Sequence, residues 1–240
     1  MFFIFIKNHK IMKKAILLTI LSIIAISCNN DDNSQNPSDN NQILKLKEYR
    51  GMDYKTYYYN QNGFVDSISV IGGGMLPTNI QTKFHFNSEN KLVSTERWIQ
   101  IVIHEESLYE NDIYEYNTEN LISIKKTFDE NNSLIRTANY SYNSDGYLTY
   151  GNQTYSNGNL VQDNGIIYTY DNNKNPFYDL YPLAYIRMNQ INKNNTLTSG
   201  NSSEIFLTFS YFYNEKSYPI SYQMTPGIAD LEDQAQYIYY

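Results

Sequence analysis

YSYNSDGYLTY, residues Tyr140 to Tyr150, sets two tyrosines two positions apart, follows them with a polar break ending in Asp145-Gly146, and returns with Leu148 between further tyrosines. Side chains at i and i+2 share one face of a strand. Asn143 can bond its own backbone, and Gly146 supplies positive φ without steric cost, so the break predicts a tight turn. The stretch reads as strand, turn, strand, with Tyr140, Tyr142 and Leu148 turned toward a core.

The unit recurs along the chain. Tyr57-Tyr58-Tyr59-Asn60-Gln61-Asn62-Gly63-Phe64-Val65 is followed by Phe84 to Val93, Tyr114 to Ile122 and Phe128 to Ile135. The opening stretch, Tyr155 to Val161 and Tyr168 to Asp171 come next, and a late copy, Tyr211 to Pro219, carries proline where most others carry an aliphatic residue. Aromatic and β-branched side chains suit a pleated, half-buried surface. From Phe128 through Tyr142 and Tyr155 to Tyr170 the steps are 14, 13 and 15 residues, the rhythm of one hairpin following another. The predicted fold is all-β: an antiparallel meander of repeated hairpins forming a curved sheet or partial barrel, in one domain over residues 43–240.

Two stretches break the rhythm. Ile71 to Thr78 (IGGGMLPT) is Gly-rich but lacks the Lys-Ser or Lys-Thr of a phosphate-binding loop, and reads as a mobile connection. Asn175 to Gly200 carries Leu180, Leu183, Ala184, Ile186 and Met188, which predicts a short helix after Pro182 that covers an edge of the sheet or forms the lip of a pocket. Beyond it, Glu204 to Tyr213 and Tyr218 to Gln223 regain strand character, Ala229 to Gln234 suggests a helical turn, and Gln236 to Tyr240 (QYIYY) a last strand docked into the sheet.

The beginning of the chain has a different composition. From Met12 it reads MKKAILLTILSIIAISCNN: a basic start, an apolar run from Ala15 to Ile26, and small or aliphatic residues before Cys28. That is the layout of an export signal. The run would rise only about 18 Å as a helix, short of the roughly 30 Å hydrocarbon core. Cys28 is the chain's one cysteine, which excludes an intramolecular disulfide and a cysteine zinc cluster. Of the 18 lysines and arginines, Lys7, Lys10, Lys13 and Lys14 lie in this leader; its removal leaves 14 against 25 acidic residues, a net charge of −11. That balance opposes nucleic acid as a partner. Residues 29–41 are rich in Asn, Asp, Ser and Pro and form a polar tether.

Leu21 to Cys28 resembles the lipobox of bacterial lipoproteins. The resemblance implies a signal peptide over residues 1–27, diacylation of Cys28, and a lipid-anchored protein of the outer membrane on its periplasmic or cell-surface face. Asp31 and Asp32 resemble the acidic signal that sends some Gram-negative lipoproteins to the surface. Tyr140-x-Tyr142-Asn143-x-x-Gly146-x-Leu148 in turn resembles the YD repeat of RHS-type proteins, and Tyr168-x-Tyr170-Asp171 its first half. The copies here are few and lack the arginine of the RHS pattern. The chain is more similar to uncharacterised Gram-negative envelope lipoproteins that join a lipobox and polar tether to degenerate YD-like hairpins.

Chemistry-bearing residues are sparse. His104 and Glu106 share a strand face and suggest a base with its orienting carboxylate, the core of a hydrolase reading, but no nucleophile accompanies them. Asp129-x-Asn131-x-Ser133 and Asp171-x-Asn173-x-Asn175 alternate oxygen ligands yet lack the glycine and distal Glu of a calcium loop, so no metal or cofactor is expected. Among the 25 tyrosines, Tyr147, Tyr150, Tyr178, Tyr181 and Tyr185 fall outside the paired anchors. Exposed aromatics stack on sugars and anchor partner proteins, which makes these five the candidate binding residues; packing of a second sheet face is the alternative. The expected function is a noncatalytic binding or scaffold module for a glycan, peptide or envelope protein, with an envelope hydrolase or a shortened RHS-like scaffold as alternatives.

Overall fold

The turn at Asn143 belongs to a set with a single hydrogen-bond pattern in the computed structural model, which describes residues 44–51, 53–72, 78–101, 106–225 and 234–240. In the turns that start at Asn60, Asn87, Asn117, Asp129, Asn143 and Asn214, the first residue's carbonyl accepts the N–H three positions on, and its own N–H donates to the carbonyl four positions on. Its side-chain oxygen also accepts N–H groups two and four positions on, as Asn117 does from Glu119 and Leu121 at 3.0 and 2.9 Å. The fourth residue is left-handed: Gly63, Asn90, Asn120, Asn132, Gly146 and Ser217 have φ between 58° and 87°. This is a type I turn closed by a bulge residue. Asn and Asp recur because they satisfy the turn's orphan N–H groups and tolerate that φ.

The strands that these turns join are β1 (Leu46–Arg50), β2 (Asp53–Tyr59), β3 (Val65–Gly72), β4 (Thr78–Phe86), β5 (Leu92–Ile101), β6 (Glu106–Tyr116), β7 (Ile122–Phe128) and β8 (Leu134–Asn139). They continue with β9 (Gln153–Ser156), β10 (Asn159–Asp163), β11 (Ile166–Lys174), β12 (Asn194–Gly200), β13 (Ile205–Tyr213), β14 (Pro219–Thr225) and β15 (Gln234–Tyr239). All belong to one antiparallel 15-stranded sheet in which sequence neighbours pair, except β8 and β9. β1 pairs with β15, so the chain's first and last strands lie side by side in mid-sheet, and the ladder is open between β8 and β9.

The repeat is therefore two strands long, which corrects the 13-to-15-residue spacing. The Asp129 turn joins β7 to β8 at the end of the sheet opposite the other turns. The residue five past the turn start is buried at Val65, Leu92 and Ile122, each 0% exposed, whereas Leu134, after Asp129, is 54% exposed. A second correction concerns Tyr168 to Asp171. No turn follows: β11 runs on to Lys174, and the Asp171 carboxylate accepts the backbone and side-chain N–H groups of Asn195, both at 3.1 Å. The Gly-rich connection over 73–77 and the turn expected at 229–233 lie outside the described residues; Gln234 opens β15.

A tyrosine near the end of a strand couples neighbouring units at five places, although Phe86 stands at the equivalent position before the Asn87 turn and Tyr213 bonds Asp171 instead. Tyr116 Oη donates to the Leu92 carbonyl at 2.8 Å, Tyr142 to Ile122 at 2.6 Å and Tyr239 to Pro219 at 2.7 Å. Tyr59 does the same to Leu46, and Tyr170 to Leu160, each at 2.5 Å. In every case the acceptor is the first inward residue of the preceding unit. The ring fills core volume while the hydroxyl satisfies a carbonyl at the bulge, which explains tyrosine rather than phenylalanine at this position.

The helical insertion is an enlarged turn of the same kind. Asn175 donates its N–H to the Lys193 carbonyl at 3.0 Å, as Asn60 does to Phe64, and residues 176–192 occupy the loop between. A 3-10 turn (Tyr178–Leu180) and helix α1 (Leu183–Met188), begun after Pro182, fold back onto the sheet. Leu180, Ala184 and Met188 join Leu46, Tyr57, Val65, Phe84, Leu92, Tyr114, Ile122 and Tyr237 in the core. Phe177 meets Tyr49, Tyr57 and Tyr237, while Tyr185 meets Phe84 and Tyr114. Its far side bonds β10, where Leu160 N–H donates to Asn192 Oδ1 at 2.8 Å, and α1 also lies against β7. β7 and β10 would stand on the order of 60 Å apart in a flat sheet of this order. One short insertion reaches both only because the sheet curls around it.

Replacing Tyr116 with Phe is expected to cost about 1 kcal/mol with the fold retained, and Asn117→Ala about 1–2 kcal/mol through the lost N–H acceptors. Urea unfolding, with the half-exposed Tyr58→Phe as a near-neutral control, checks both.

Candidate functional site

Strand register lines up a set of polar side chains on the sheet face that carries Phe84. Phe84 stands opposite Thr95, Thr95 opposite Asp112, Asp112 opposite Thr127, and Thr127 opposite Arg136. One step along, Arg97 faces Glu110, and Tyr114 faces Lys125. Because α1 packs on Phe84 and Tyr114, this is the concave face beside the insertion.

Its charges are arranged in pairs. Arg97 bonds Glu110; Asp112 accepts the Thr127 hydroxyl at 2.6 Å and the Lys125 ammonium at 3.5 Å. Arg136 Nη2 donates to Thr127 Oγ1 at 3.5 Å, and the Thr95 and Tyr114 hydroxyls bond each other at 3.0 Å. The wall grades from core to solvent: Thr127 is fully buried, whereas Arg97 keeps 42% of its side chain exposed. Polar groups at the buried end are satisfied, as burial requires, while the guanidinium and carboxylate at the open end have donor and acceptor capacity left for a ligand.

Tyr185 forms the aromatic side of this wall. Burial, and then the nearby Asp112 carboxylate, push its phenol up to about 12. The same causes raise Tyr140, which lies near Asp112 and Arg136. Tyr114 is also raised, chiefly by burial. These phenols stay protonated at neutral pH.

The five candidate tyrosines do not form one site. Tyr181 and Tyr185, 4.8 Å apart, pack against Phe84 and only Tyr185 reaches the polar wall. Tyr147 lies at the open edge of the ladder, stacked on Tyr155 at 4.6 Å, with its hydroxyl accepting Gly158 N–H at 3.0 Å and Arg187 3.8 Å above its ring. Tyr178 lines a small crevice with Tyr147 and Arg187, away from the wall. Tyr150 is 71% exposed and joins none of them. Reading the sequence misses Arg97, Glu110, Asp112, Lys125 and Arg136, which look like the solvated positions of alternating strands. A partial signal exists in the alternation, since Arg97 shares its parity with Thr95, and Asp112 with Tyr114.

His104 lies outside the described residues; Glu106 opens β6 opposite Ile101. His85 points away from the core with Nε2 3.3 Å from Glu96. The Asp129 carboxylate is used by its own turn, accepting Asn131 and Ser133 N–H groups at 2.9 and 2.8 Å, and Asp171 by Asn195 and Tyr213. Among the described residues no cluster of three or more His, Cys, Asp or Glu side chains has metal-binding geometry.

A phenol whose proton is held more tightly in the fold than in the unfolded chain stabilises the fold fully below its ordinary value of 10.0 and loses that contribution as pH climbs to about 12. Tyr116, Tyr155 and Tyr213 move the same way to about 12. Urea midpoints are therefore expected to stay level up to about pH 10 and then fall together with the appearance of phenolate absorbance; a fall completed below that pH contradicts the assignment.

No protein-family model matches the chain, and no curated protein matches it. A solved structure of a porin-like protein from Bacteroides uniformis is similar at 13% identity and a TM-score of 0.33, covering 82% of this chain and 96% of that one. A likeness of that degree carries no argument about activity.

Proposed function

We propose that this chain is a lipid-anchored protein of the outer membrane whose β domain is a noncatalytic binding module for a glycan or peptide. The observation that carries the reading is the concave wall of Arg97, Glu110, Asp112 and Lys125 beside Tyr185. Paired charges with open valences next to an aromatic ring suit a ligand rich in hydroxyls or amides: the ring supplies stacking area, and the ion pairs supply directional bonds.

The anchor follows from the lipobox-like Leu21 to Cys28 and the polar tether behind it. Two acyl chains hold a protein on a bilayer stably, since each buried methylene contributes about 0.8 kcal/mol. The opposite face of the sheet supports a domain held beside the membrane rather than within it. Lys83, Glu96 and Lys126 stand on that face among the exposed Trp98 and Ile113, and lysine at a bilayer midplane costs about 2–4 kcal/mol on a barrel wall.

Calorimetry of the purified protein against envelope glycan fragments and short peptides tests the reading. A ligand is expected whose affinity falls about tenfold or more in Arg97→Ala and Tyr185→Ala, the loss of one charged hydrogen bond or one stacking contact. Binding unaffected by both variants removes the wall from the mechanism. Incorporation of labelled palmitate in a Gram-negative host, abolished by Cys28→Ser, checks the anchor independently.

A further inference from the structure

The two ends of the sheet are unequal, and strand direction says what one of them lacks. After β8 the chain reverses at the Asn143 turn, where Tyr142 pairs with Leu148 and Thr149 N–H donates to the Ser141 carbonyl at 2.8 Å. It reverses again at Gly151, whose φ is +61°, and enters β9. Two reversals leave β8 and β9 running the same way. An antiparallel ring closes only with an even number of strands, and this sheet has 15. Closure would take an odd number of added strands, the first of them running opposite to β8.

Leu148 to Tyr150 are the beginning of that strand. Continued in the same register, the chain would pass beside Asn139 and on along β8. Instead Gly151 turns it away, where its Cα lies close against Asn164: an added Cβ would stand 3.1 Å from the Asn164 side chain. Among the described residues, the outer edge of β8 from Leu134 to Asn139 has no ladder partner. β9 is short, and Tyr147 clasps it through Tyr155 and Gly158. β8 has no such cover. Leu134 and Ile135 are 54% and 53% exposed, and its only charged residue is Arg136. Exposed edges are ordinarily blunted by charge, proline or a bulge, because free N–H and C=O groups recruit strands; β8 has a bulge at Ile135, which leaves Arg136 to Asn139 as its regular stretch.

We infer that the β8 edge is a docking site for an extended segment of a partner polypeptide, which adds as a strand antiparallel to β8 in the seam beside β9. Strand addition takes its affinity from main-chain hydrogen bonds and its specificity from alternate side chains. The tether of this chain is a poor occupant, since residues 29–41 are dominated by Asn, Asp, Ser and Pro, which strands disfavour. The ion pairs of the ligand wall, Arg97 with Glu110 and Lys125 with Asp112, stand on β5 to β7, and the wall shares only Arg136 with this edge.

Peptides of alternating β-branched and polar residues, displayed on phage and selected on the purified full-length protein, supply the probe. The N–H groups of Thr137 and Asn139 alternate with those that face β7, and their exchange is expected to be fast in the protein alone and at least about tenfold slower with the selected peptide. N-methylation of the peptide amides that face β8 is expected to weaken binding about tenfold or more while leaving the protein intact, and Ile135→Pro to do the same from the protein side. Slow exchange at Thr137 and Asn139 in the free protein, failure to select any peptide, equal binding of the methylated peptide, or protection elsewhere would each overturn the inference. So would protection of β8 that rises with protein concentration alone, which would make a second copy the occupant.

Discussion

At five places a single phenolic hydroxyl couples one unit to the one before it. Tyr59, Tyr116, Tyr142, Tyr170 and Tyr239 each reach a carbonyl of the preceding unit, and the acceptors Leu46, Leu92, Ile122 and Pro219 are among the most deeply buried residues in the domain. The bulge at each turn interrupts the ladder just where that carbonyl sits, and buried carbonyls left unpaired are costly. Phenylalanine would fill the same space and leave the acceptor stranded. Tyrosine does both jobs, which accounts for much of the chain's unusual aromatic content.

The curl of the sheet follows from the same inward rings. Bulky aromatics packed on the inner face, with Lys and Glu interspersed among smaller patches of Trp98, Ile113 and Phe212 on the outer one, give a sheet that wraps around its more apolar side and needs something to fill the hollow. The enlarged turn at residues 176–192 fills it at one end, bringing Phe177, Tyr181, Tyr185 and Met188 against strands from opposite halves of the sheet. Past the insertion the concave face turns polar, and there Arg97 and Glu110 reach solvent. Core and candidate ligand wall are thus successive stretches of the same strands.

Much of this was legible because it is local. The turn rule at Asn60, Asn87, Asn117, Asn143 and Asn214, the alternation around it, and the helix after Pro182 each depend on residues within a few positions of one another. Tyr168-x-Tyr170-Asp171 carries the same local pattern and still makes no turn, since Asp171 is taken by Asn195 and Tyr213 from distant strands. The spare tyrosines fail as a group for a similar reason: they are close in sequence, but α1 turns Tyr185 toward the polar wall while Tyr178 faces the crevice by Arg187.

By itself, then, the sequence determined an antiparallel meander, its turn chemistry and its insertion, because short-range hydrogen bonding and side-chain parity decide those features. Only the tertiary structure decided that β1 meets β15, that β8 and β9 stay apart, and that Arg97, Glu110, Asp112, Lys125 and Arg136 gather on one wall. Those outcomes depend on how far the sheet curls and what it curls around, a balance of packing across many strands that no short stretch of the chain records.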